Sequence, residues 1–216
     1  MNSRFCDNLV GIVEEYVQNT TPLRYICVAI LLNQTHVLTA AHCVISNSTY
    51  HVRYKSGNVS VSTYDYNEVT DKWIHPNYNE NILGCKGNDV AILKQTENAT
   101  QLSNPEFIPV TVHDTATCKR AEENVNETYM HDNICASGNN ISLKEGDTGS
   151  PAYVFNNDGK IILIGFLYCE VQLSEAIFAN STYPVAITNI STFIAWIQYL
   201  SIDTTIIESS QFASGY

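Results

Sequence analysis

Short runs of β-branched and aromatic residues, each closed by a polar turn, recur through the chain, and one segment alone carries a helical period. That pattern constrains the fold most, because strands this short satisfy their backbones only by pairing in sheets. Residues 25–32 and 37–40 read as buried strands, while 50–54 and 59–64 alternate apolar and polar side chains as half-exposed strands do. Residues 89–94, 160–167 and 185–188 add three more. The helix is expected over 192–200, capped by Ser191, with Phe193, Trp196, Ile197 and Leu200 on one face. Residues 201–216 form a polar tail expected to fray. At 216 residues the chain can bury a core as one β-rich domain or as two small halves packed together.

Charge and composition narrow the partners. Eleven basic against twenty-two acidic residues leave a net charge of −11. Phosphate contacts need clustered Lys and Arg, so no nucleic acid is expected. No stretch approaches the ~18 apolar residues of a membrane span, and no membrane partner is expected. Seven cysteines, Cys6, Cys27, Cys43, Cys85, Cys118, Cys135 and Cys169, include no CxxC pair and suggest disulfides formed in an oxidising compartment. The count is odd, so at least one stays a free thiol or bonds a second chain. Asn19, Asn33, Asn47, Asn58, Asn98, Asn126, Asn140, Asn180 and Asn189 each begin N-x-S/T, which points to a secreted, extracellular glycoprotein; an asparagine-rich composition would also multiply such triplets. The first residues, MNSRFCDNLV, show no signal peptide. His36, His51, His75, His113 and His131 form no metal-ligand spacing, and no metal or cofactor is expected.

Chemistry concentrates in three places. Glu145-Gly146-Asp147-Thr148-Gly149-Ser150-Pro151 sets two glycines, an acid and a hydroxyl in one turn, where backbone N–H groups can approach a reacting carbonyl. Val37-Leu38-Thr39-Ala40-Ala41-His42-Cys43-Val44 places a histidine after small residues and beside a cysteine, with Cys27 sixteen positions before Cys43. Gly87-Asn88-Asp89-Val90-Ala91-Ile92-Leu93 follows Trp73-Ile74-His75-Pro76-Asn77-Tyr78. In chain order, His42, then Asp89, then Thr148, the three motifs resemble those of chymotrypsin-like serine proteases, over most of residues 10–200.

The resemblance implies an all-β fold of two packed antiparallel six-stranded barrels with a C-terminal helix, spanning residues 1–200 with a crossover near 95–104. It assigns His42 as general base, Asp89 as the group that orients it, and Thr148 to the place of the attacking serine. The N–H groups of Gly146 and Thr148 would form the oxyanion hole. It also implies disulfides Cys27–Cys43 and Cys118–Cys135, and leaves Cys6, Cys85 and Cys169 without assigned partners.

Several features depart from the family pattern. Thr148 replaces serine, and its methyl group restricts χ1. Leu9-Val10-Gly11-Ile12 only partly matches the segment whose free amine would pair with Asp147, and no basic cleavage site abuts it. Fifty-nine positions separate Asp89 from Thr148, against about ninety in the family. The shortfall is placed between Pro109 and Cys118, so the second barrel is expected to be abbreviated. Ser142 falls at the floor of the specificity pocket, Glu170 and Val185 replace wall glycines, Tyr168 and Cys169 replace a serine and a tryptophan, and Lys144 replaces a cysteine. The expectation is a protease homologue, silent or severely impaired, that binds a substrate-like protein or peptide or regulates active proteases. The alternative is an active endopeptidase using His42, Asp89 and Thr148 with a preference for small residues.

Overall fold

The computed structural model describes residues 9–15, 23–55, 64–79, 88–96, 108–113, 133–137, 146–158, 161–167 and 185–200. Six strands, β1 (Leu9–Glu15), β2 (Arg24–Leu31), β3 (His36–Thr39), β4 (Thr49–Lys55), β5 (Tyr64–Ile74) and β6 (Ala91–Gln95), close into a barrel in the order β1-β2-β3-β6-β5-β4. Every pairing is antiparallel. Closure leaves no edge, so each strand can turn apolar side chains inward. Val10, Ile12, Ala29, Val37, Leu38, Val52, Ile92 and Leu93 are fully buried.

A second sheet contains β7 (Thr111–Val112), β8 (Asn133–Ser137), β9 (Pro151–Phe155), β10 (Ile161–Leu167) and β11 (Val185–Asn189), in the order β7-β8-β11-β10-β9. Among the described residues this sheet stays open, with β7 and β9 as edges. Among these residues the second barrel is partial, and β7 already begins inside the interval to which the sequence assigned the shortfall. Ile108, Val110, Val112 and Phe155 are exposed along these edges.

The halves share one core. Leu163 and Phe166 of β10 join the barrel's buried cluster, as do Ile190, Phe193 and Ile197 from the C-terminal segment. That segment is a 3₁₀ turn (Ile190–Phe193) running into α1 (Ile194–Tyr199). Phe193, Trp196, Ile197 and Leu200 pack on the core as their spacing predicts. The cap differs from the expectation: Asn189, not Ser191, holds the start, its Oδ1 accepting from Ser191 N at 3.1 Å and from Ser191 Oγ at 2.7 Å. Ser191 is thus the donor, and the chain turns earlier because Asn189 already ends β11.

The strand expectations at 25–32, 37–40, 50–54, 89–94, 160–167 and 185–188 fall on β2, β3, β4, β6, β10 and β11, with shifted ends. Residues 59–63 lie outside the described residues, and Tyr64 opens β5. Leu9-Val10-Gly11-Ile12, only a partial match to an activation segment, turns out to be a strand that the sequence did not mark. These residues form an interior stave of the barrel, with Leu9 through Ile12 paired to β2 and Gly11 and Ile12 also paired to β4. Bound into a sheet, they are no insertable terminus and do not reach Asp147 as one. Their apolar run serves the core.

Candidate active site

His42 lies in a single 3₁₀ turn, Ala41–Cys43, directly after β3. Small residues make that turn possible: Ala40 and Ala41 are fully buried, so larger side chains would collide with the core. The Cys27–Cys43 disulfide ties the turn to β2. Below it, Lys72 Nζ from β5 donates to the carbonyls of Val44 and Ser46, at 2.9 and 2.5 Å. Burial of this ammonium lowers its pKa.

Asp89 sits just ahead of β6 and is 3% exposed. Asn88 before it adopts φ 60°, a left-handed conformation that asparagine tolerates better than most residues. Both Asp89 oxygens engage His42: Oδ1 accepts from the backbone N–H at 2.8 Å, and Oδ2 lies 2.5 Å from Nδ1. An ionised carboxylate only accepts, so Nδ1 carries the proton and Nε2 keeps its lone pair. The imidazole is one-third exposed, at 34%. The couple can therefore take a proton from a neighbouring hydroxyl and stabilise the resulting imidazolium.

Thr148 is 5% exposed and is held through its backbone. Its carbonyl accepts from Val28 N on β2 at 2.7 Å. Gly149 N donates to Leu167 O at 2.9 Å, and Leu167 N donates to Ser150 O at 2.7 Å, so β10 grips the same turn from the other half. Gly149 has φ +89°, and a Cβ there would stand 1.9 Å from Val28 O. Gly146 has φ +94°, and its Cβ would stand 2.6 Å from the Tyr25 ring. Both positions require glycine for conformation and for space. Among the described residues, the N–H groups of Gly146 and Thr148 donate to no carbonyl. Among the same residues, the Thr148 hydroxyl makes no hydrogen bond to His42, whose Nε2 lies 3.7 Å from Cys43 Sγ.

An open cleft of about 290 Å³ has His42, Thr148 and the Cys27–Cys43 disulfide in its wall, and extends past Ile26 and Ile45 to Glu14, Arg24, Ser46 and Tyr50. Cys27, His42 and Cys43 place three metal-type donor atoms close together, but the two sulfurs are bonded to each other and offer no thiolate.

The barrel thus gathers His42 and Asp89 and presents them beside the turn carrying Gly146 and Thr148. A family model described as Trypsin matches residues 14–110. The chain is 25% identical to the chymotrypsin-like serine proteinase of Haliotis rufescens, covering 84% of this chain and 83% of that protein. It is 28% identical to chymotrypsin-C of Mus musculus, covering 85% and 81%, and 25% identical to chymotrypsin-like elastase family member 1 of Bos taurus, covering 79% and 77%. In sequence the chain is similar to the chymotrypsin/trypsin-like serine proteases.

Within this serine-protease fold, Ser142, Glu170, Tyr168, Cys169 and Lys144, assigned from sequence to the specificity pocket, lie outside the described residues. Val185 opens β11, with its backbone paired to Ala136. Cys118 also lies outside, and of Cys135 the backbone alone is described, within β8. Sequence reasoning missed Tyr25 and Val28. Val28 acts through backbone atoms, which no motif exposes. Tyr25 had a signal, an aromatic two positions before a disulfide cysteine, but its target at Gly146 is more than a hundred residues away.

Proposed function

We propose that this serine-protease homologue is secreted and glycosylated, that its turnover is silent or severely impaired, and that it acts by holding a substrate-like segment of a protein partner in the cleft. In the same role it would regulate active proteases by competing for their substrates. One observation carries the reading: His42 and Asp89 are assembled, yet the hydroxyl at the nucleophile position belongs to a buried threonine that Nε2 does not engage. A β-branched side chain has few rotamers with which to correct this. Losing a catalytic serine outright costs on the order of 10⁶ in rate, and a misaligned hydroxyl falls between that and full activity. Intact His42–Asp89 geometry, and a Gly146 N–H that donates to no carbonyl among the described residues, favour the second reading, an active endopeptidase with a threonine nucleophile.

A tagged fluorophosphonate separates the two. Attack by an activated hydroxyl forms an O–P bond, expels fluoride and passes the proton to His42. Labelling of Thr148→Ser, with none of the wild type or of Thr148→Ala, is the expected result. Wild-type labelling that disappears in Thr148→Ala would overturn it in favour of the enzyme.

A further inference from the structure

The nucleophile turn is fastened unevenly. Its later part is bonded on both sides: Thr148 O takes Val28 N–H, Gly149 N–H goes to Leu167 O, and Ser150 O takes Leu167 N–H. Gly146, at its start, makes no backbone hydrogen bond among the described residues. What meets it instead is a ring. A Cβ on Gly146 would lie 2.6 and 2.9 Å from Cε1 and Cδ1 of Tyr25. The opposite edge of the same ring meets Gly11 of β1, where a Cβ would lie 2.7 Å from Cε2 and 3.3 Å from Cδ2. Both glycines are thus matched to one aromatic plate, with the Arg53 guanidinium over it at 5.5 Å from the ring centre.

We propose that Tyr25 is a positioning residue for the oxyanion turn, its ring wedged between Gly11 and Gly146 so that the barrel itself sets where the Gly146 N–H stands. The inference rests on reading residues 146–148 as that turn. Pairing by an inserted amine is not available from residues 9–12, which are locked in β1. The wedge supplies the restraint from β2 instead, and because it is a packing contact it needs no chain cleavage to form. Burial pushes the Tyr25 phenol up to about 12, with Arg53 opposing the rise and Asp147 adding to it. The hydroxyl is therefore neutral at ordinary pH. The restraint comes from the ring's shape, and removing the oxygen alone should leave it intact.

Amide hydrogen exchange of the intact chain tests this without requiring activity. In Tyr25→Ala, amides of residues 146–150 should exchange about tenfold faster or more, while those of β5 and β6 hold their wild-type rates. Tyr25→Phe should restore the wild-type rate at the turn. Gly11→Ala, which sets a methyl group against the ring from the far side, should loosen the same turn, and it serves if Tyr25→Ala fails to fold. The proposal is overturned if the turn is unchanged in Gly11→Ala or Tyr25→Ala, if it accelerates only in step with β5 and β6, or if Tyr25→Phe is as loose as Tyr25→Ala. Exchange at the turn reports on Tyr25 and fluorophosphonate labelling on Thr148, so either reading can fail while the other stands.

Discussion

The first half of the molecule closes on itself through six strands, whereas the second presents two edges among its described residues. In the closed half the buried side chains are almost all apolar, and a polar set at one end is satisfied internally: Tyr54 OH donates to Asn67 Oδ1 at 3.2 Å, Asn67 Nδ2 to Gln95 Oε1 at 3.4 Å, and Gln95 Nε2 to Gln34 O at 2.9 Å. In the open half, Ile108, Val110 and Val112 alternate along the approach to and through β7, each more than 40% exposed. A strand pattern meant to be half covered there has no cover among the described residues. The contrast teaches where a two-barrel fold keeps its stability when one barrel is shortened: in the half that remains closed, and in the contacts the other half makes with it.

The sharpest way to break that picture is at the joint. Gly149→Ala would drive a methyl group into Val28 O and force a left-handed alanine, and it should cost ~4 kcal/mol or more. Chemical denaturation measures this, and a loss under 1 kcal/mol would mean that the turn is not seated on β2. Removing the Cys27–Cys43 bond with paired alanine substitutions should cost about 3 kcal/mol for a loop of this length. Exchange should rise in β2 and the His42 turn while β9 and β10 stay protected; loss of protection in both sheets together would show that the halves unfold as one unit. The smallest effect is expected at the open edge. Val112→Lys should change stability by less than ~0.5 kcal/mol while reducing self-association seen by light scattering, because a charge on an unpaired edge discourages strand addition. Unchanged scattering would mean that the edge is already covered.

Much of the closed barrel was legible in the sequence, because β2, β3 and β6 are buried runs whose period and turn chemistry agree. β5 was not. Its inward-facing residues include Asn67, a polar residue whose partners come from β4 and β6, so alternation of polarity hid the strand. β1 was missed for a different reason: its apolar run with a glycine was weighed only as a partial match to an activation segment, and its pairing with both β2 and β4 fixes it as a stave. Gly11 leaves room for the edge of the Tyr25 ring, a fit no local pattern contains. At the candidate site, ordered motifs single out His42, Asp89 and Thr148, since each motif encodes a local turn, and the structure sets His42 against Asp89. Their supports were not, because Val28 contributes only backbone and Lys72 reaches the His42 turn from a strand twenty-eight positions away.

Val28 gives that separation a consequence for how such a chain can diverge. One residue of a closed stave offers its N–H to Thr148 and sets its carbonyl against Gly149, so the loop carrying Thr148 is mounted on the half least free to change. Drift can then trim or rebuild the opposite flank, altering what the cleft admits, while the mount keeps its shape. Lineages descended from such a scaffold would vary first in what they grip, and only later in whether the gripping site remains assembled.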